Sequence, residues 1–107
     1  GGRNPRQFLE EHLRKRLWGK NAPSEVTKYE RVQGSCPGRF RVRVTASLPR
    51  GGGSKTFDPE EACETVNDAN NLAAAWALFK LLEEADRDGT RRNMPPAYRD
   101  RWREWTE

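Results

Sequence analysis

The stretch VNDANNLAAAWALFKLL (66–82) constrains the fold of this chain more than any other. Ala69, Ala73 and Ala77 recur every four residues, with Ala74 and Leu78 beside them. That spacing belongs to one face of a helix, and side chains so small let a helix backbone lie close against something flat. The chain also contains a candidate for the flat partner. In GRFRVRVTA (38–46), Phe40, Val42 and Val44 alternate with Arg39, Arg41 and Arg43. Alternation at period two predicts a half-buried strand with an apolar inner face and a basic outer face.

Two further strands are expected around YERV (29–32) and from KTF (55–57). Gly34, Pro37 and Gly38 mark the first intervening turn, and PRGGGS (49–54) reads as a flexible connection. Before the strands, Asn4 can cap a helix that Pro5 opens, since proline lacks an N–H that would have had no intrahelical partner there. Phe8, Leu9, Leu13 and Leu17 give that helix an apolar face. Gly19 is its expected stop, and LWGKNAPSE (17–25) is expected as a loop.

The start of the second long helix has two readings. Asp58, Pro59 and Glu61 fit a helix start by capping chemistry. Alternatively, Pro59 breaks an edge strand and Thr65 caps the helix. RDGTRRNMP reads as a linker over 87–95, and Tyr98, Trp102 and Trp105 place a short amphipathic helix over 96–107. The order is α-β-β-β-α. It predicts an α+β domain over residues 4–86, in which an antiparallel three-stranded sheet is covered by two helices on one face, plus a short C-terminal helix.

Charge is distributed unevenly. Residues 1–20 carry six basic and two acidic groups, and residues 21–50 do the same. Residues 51–86 carry two basic and eight acidic groups, so the segment leading into the alanine-rich helix is acidic within a chain of net charge +4. The two cysteines, Cys36 and Cys63, stand far apart and are expected as free thiols. Two cysteines and one histidine, His12, fall short of the four ligands of a structural zinc site. No catalytic constellation is present, and the carboxylates of DPEE need no metal to explain them. No apolar run approaches the ~18–20 residues of a membrane span.

Several of these pieces carry a family resemblance. NPRQFLEEHL (4–13) resembles the first helix of the double-stranded-RNA-binding domain, FRVRVTA its second strand, and Ala69, Ala73, Ala74, Ala77 and Leu78 its second helix, of pattern KKxAKxxAAxxAL. Taken with PPAYRDRWREW (95–105), the whole resembles an accessory N-terminal region of a DExH/DEAH-box RNA helicase. The subgroup it is most like works with the small ribosomal subunit in translation initiation. The resemblance implies a cytoplasmic setting and a non-catalytic module within a longer protein whose helicase core takes ATP and Mg²⁺. This segment itself has no nucleotide-binding loop and needs no cofactor. Structured or ribosomal RNA, the small ribosomal subunit, initiation factors and the parent's own core are the implied partners, with no membrane and no DNA.

The resemblance also exposes a departure. The family grips phosphates with lysines at the start of its second helix, while the domain spans about 16 base pairs by shape. Those lysines would fall at Val66, Asn67 and Asn70, and none is basic. Ordinary duplex binding is therefore expected to be weak, with Asn67, Asn70 and Asn71 left as polar contacts. Arg39, Arg41 and Arg43 become the candidate relocated surface. Arg14, Lys15, Arg16 and Lys20 form a second cluster, and Gln7 and Glu11 are candidates for a ribose contact. The rival readings are a protein-docking module without RNA binding and an ordinary duplex-RNA binder.

Overall fold

The protein is described by a computed structural model that covers residues 4–32, 38–82 and 84–106. The turn expected at Gly34 and Pro37, and Cys36 within it, lie outside the described residues.

Helix α1 (Pro5–Glu11) starts as its sequence dictates. The Asn4 side chain accepts from the Gln7 N–H at 2.9 Å, and the Gln7 side-chain Oε1 accepts from the Asn4 N–H at 3.0 Å. This reciprocal box satisfies two donors that a helix start leaves unpaired. The helix does not give way to a loop at Leu17. It continues as a wider π-helical segment, His12–Trp18, and a 3-10 turn, Gly19–Asn21. Gly19, at φ 70°, closes the segment by donating to the Arg14 carbonyl five residues back. Two tertiary anchors hold this end. The Trp18 indole N–H donates to the Ser47 carbonyl at 2.8 Å, and Arg14 donates to the carbonyls of Pro23 (3.1 Å) and Ser24 (2.7 Å).

Strands β1 (Thr27–Arg31), β2 (Val42–Leu48) and β3 (Gly53–Phe57) form an antiparallel sheet in the order β1-β2-β3. Tyr29 faces Val44, which faces Phe57 on the other side. Val42, Val44 and Ala46 are buried while Arg43 is exposed, as period two requires. The regular strand begins at Val42, later than expected. Phe40 instead forms a two-way bridge with Cys63, at 2.8 and 2.7 Å, so Arg39 and Arg41 flank the bridge outside β2. The 49–54 connection is shorter than expected. Residues 49–52 make the turn, and Gly53 and Ser54 already belong to β3.

Helix α2 (Val66–Leu81) starts at its second candidate position. The Thr65 hydroxyl accepts from the Asp68 N–H at 3.0 Å. Asp58 caps a turn instead, accepting from the Glu60 N–H at 2.8 Å, with Glu60 at φ 57°. Ala69, Ala73, Ala74, Ala75 and Ala77 are at most 1% exposed, so α2 is enclosed on nearly every side. Together with Leu9, Leu13, Val42, Val44 and Leu78 they form one core.

The segment expected as a linker is helical. Helix α3 (Glu84–Arg92) follows α2, and Met94 beyond it is buried. Arg87 explains much of this: its Nε–H donates to the Phe79 carbonyl at 2.9 Å, and its guanidinium lies 4.2 Å from the Phe79 ring centroid. Helix α4 (Pro96–Thr106) closes the chain against α2. Trp102 is 1% exposed, and Trp105 meets Trp76 edge-on at 4.9 Å and Phe79 at 5.7 Å.

Candidate functional site

The start of α2 has the packing of a structural element. Asn71 is 4% exposed. Its Nδ2–H donates to the Asn67 carbonyl at 3.1 Å, and its Oδ1 accepts from the Arg6 N–H at 3.4 Å, linking α2 to α1. Asn67 is exposed and Asn70 half-buried. Tyr98 of α4 reaches the same region, and burial, with Asp68 and Cys63 nearby, pushes its pKa up to about 12. Burial likewise raises the Cys63 thiol, with Asp68 adding and Arg39 opposing. Arg101 of α4 pairs with Glu61 just upstream. The first turn of α2 carries Asp68 and no cation.

Arg39, Arg41 and Arg43 are not an equivalent basic row. Arg41 holds Asp58 with two hydrogen bonds, at 3.2 and 2.7 Å. That bond raises the Arg41 pKa. Burial works to raise the Asp58 carboxyl, but the Arg41 hydrogen bond, the Glu60 amide and the charges of Arg41 and Arg43 outweigh it, so its pKa is lowered. Arg43 bonds Glu30 at 3.2 Å, and that bond, with the Lys28 charge, lowers the Glu30 carboxyl. Arg39 is exposed and makes no ion pair among the described residues.

The α1 candidates do come together. Gln7, Glu11, Arg14 and Lys15 line one wall of a groove of about 650 Å³, and Thr27 and Tyr29 of β1 line the other. Gln7 is engaged in the capping box. Arg14 is committed to Glu10, at 2.7 Å, and to the Pro23 and Ser24 carbonyls. Tyr29, with Arg6 at 5.3 Å from its ring, is pushed up to about 12 by burial. Lys15 stays exposed.

Sequence reasoning missed two cations, Arg50 and Lys55. They flank the β2–β3 turn at the end of the sheet where Trp18 bonds Ser47. A signal was available: SLPRGGGSKTF (47–57) has two basic residues and no acid. No group of three or more His, Cys, Asp or Glu positioned for a metal occurs among the described residues. No helix among them is long and apolar enough to cross a membrane.

Comparison with known proteins finds a sequence similarity. The chain aligns over 111 residues with the ATP-dependent RNA helicase DHX29 of Mus musculus and of Homo sapiens, at 31% identity. It is similar to part of an RNA helicase. The similarity covers 99% of the chain and 7% of each DHX29 protein, so the chain corresponds to a short helicase-associated segment. No family model and no solved structure matches it.

Proposed function

We propose that the chain is a non-catalytic accessory module of an ATP-dependent RNA helicase, of double-stranded-RNA-binding-domain type. It positions the enzyme on structured RNA or on the small ribosomal subunit through contacts other than the usual duplex grip. The observation that carries this reading is the conjunction of DHX29 similarity along nearly the whole chain with an α-β-β-β-α fold whose second helix starts without a cation. A domain that neutralises fewer phosphates releases fewer counterions, which weakens duplex binding and flattens its salt dependence. ATP and Mg²⁺ would act at the parent's helicase core, and the setting would be the cytoplasm.

The test is titration of the chain against a duplex of about 20 base pairs, longer than the family's ~16-base-pair footprint, at two salt concentrations. Sedimentation with isolated small ribosomal subunits runs alongside. Weak duplex binding with a shallow salt slope, together with co-sedimentation, is expected. Tight duplex binding with a steep slope would identify an ordinary duplex binder. Binding to neither target would leave the protein-docking reading.

A further inference from the structure

The β-sheet has two ends, and the charges near them differ. At one end lie the last residues of β1 and β3, the first of β2, and the start of α2. The acidic segment 58–68 is here, with Arg41 bound to Asp58 and Arg101 paired with Glu61. At the other end lie the start of β1, the β2–β3 turn and the last turn of the first helix. The hydrogen bond from Trp18 to Ser47 fastens two acid-free stretches together there: KRLWGK (15–20) and SLPRGGGSKTF (47–57).

Lys20 follows Trp18 by two residues, and Lys15 and Arg16 lie on the turn before it. Arg50 sits in the hairpin turn at φ 57°, and Lys55 pairs across the sheet with Ala46, one residue from Ser47. All five cations are exposed, and none makes an ion pair among the described residues. Lys55 also leans over the Phe57 ring at 5.6 Å. The carboxylates nearest these cations in sequence are Asp58, which Arg41 holds, Glu11, which shares a groove wall with Lys15, and the exposed Glu25, beside Val26, whose carbonyl accepts from the Ser47 N–H.

We infer that Lys15, Arg16, Lys20, Arg50 and Lys55 form the surface by which this module contacts the phosphate backbone of RNA. The inference rests on the reading of the chain as an RNA-helicase module and locates its RNA contact at the end of the domain away from the start of α2. The make-up of the surface favours a nucleic acid over a protein. Protein interfaces are anchored by buried aromatic and aliphatic side chains. No large hydrophobic side chain is exposed among the described residues, and the exposed charges at this end are mostly positive. That is the composition of a backbone-contacting nucleic-acid surface.

The test compares the chain with two variants. One is Lys15→Gln/Arg16→Gln/Lys20→Gln/Arg50→Gln/Lys55→Gln, and the other is Arg39→Gln/Arg43→Gln. Each is titrated with a structured ribosomal RNA hairpin between about 50 and 200 mM salt, where phosphate contacts dominate the salt response. Circular dichroism confirms the fold of each, since every changed side chain is exposed. The five-site variant is expected to lose at least about tenfold in affinity and to flatten the log–log salt slope by roughly 3.5–4.5, at ~0.7–0.9 per contact. The two-site variant is expected to stay close to the parent. If the chain binds RNA and the five-site variant binds equally well, the inference is overturned and the module reading survives. If the unaltered chain binds no RNA, the inference falls, and the module reading then rests on co-sedimentation with the small ribosomal subunit. If polyglutamate displaces RNA as effectively as an equal charge of competing RNA, the surface is a general acidic-protein site and the RNA assignment is overturned.

Discussion

The indole N–H of Trp102 donates to the main-chain carbonyl of Ala75 at 3.1 Å, across 27 positions of sequence. It joins the last helix to the middle of α2, within van der Waals reach of Phe79, whose ring meets that of Trp102 edge-on at 5.8 Å. α4 is therefore a layer of this domain's own core.

Trp102→Ala removes the largest fully buried side chain and leaves a cavity beside α2. A loss of about 3–5 kcal/mol is expected by urea denaturation. Trp102→Phe keeps much of the apolar area and forfeits the indole hydrogen bond, so it should cost less, about 1–2 kcal/mol.

Ala73 is 0% exposed on the stripe of α2 that meets the core. Ala73→Leu forces extra methylenes into a close approach and should destabilise by about 1–3 kcal/mol. Asn67→Ala, an exposed change one turn away from the stripe, should leave stability within about 0.5 kcal/mol. Equal denaturation midpoints for the two variants would contradict the close packing of α2.

The Asp58 carboxyl is held below its usual range, so its contribution follows the sign of a depressed acid. The stabilisation is complete above the unfolded-state value, near 3.8, and is lost as pH falls through the lower folded-state value. Asp58→Asn should lower the Tm at neutral pH, by about 2–4 °C for a partly exposed pair in a domain of this size. The two melting curves should converge as pH falls through the depressed folded-state value and the native carboxyl protonates. A constant gap at every pH would contradict a depressed Asp58 carboxyl in the folded state.

Val66→Lys/Asn67→Lys/Asn70→Lys restores three cations to the opening of α2. Thr65 still caps the helix, so the fold should hold. Affinity for duplex RNA should rise by about tenfold or more, and the salt slope should steepen by roughly 2–3. An unchanged slope in a filter-binding titration would mean that this end of α2 does not approach the duplex.

Much of the architecture was legible because its rules are local. The Asn4–Gln7 box, the period-two pattern at Val42–Val44 and the four-residue alanine spacing each act within a turn of helix or a few residues of strand. The candidate site was less legible. Arg39, Arg41 and Arg43 look equivalent in sequence, yet Asp58 and Glu30 engage two of them from 17 and 13 positions away. Arg14 reads as one more surface cation, and it is occupied by carbonyls of a loop the helix pattern does not mention.

The amino-acid sequence by itself determined the order of elements, the strand faces and the close seating of α2, since propensity, capping and periodicity are properties of neighbouring residues. Folding in three dimensions decided three other things. It selected Thr65 over Asp58 as the helix cap, because Asp58 is taken by Arg41 and the Glu60 amide. It made a helix of a stretch with linker composition, where Arg87 reaches the Phe79 carbonyl. It also fastened Trp18, two residues before Lys20, to Ser47, three residues before Arg50. Each depends on partners distant in the chain, whose hydrogen-bonding and Coulombic reach of a few ångströms exists only after the core has drawn them together.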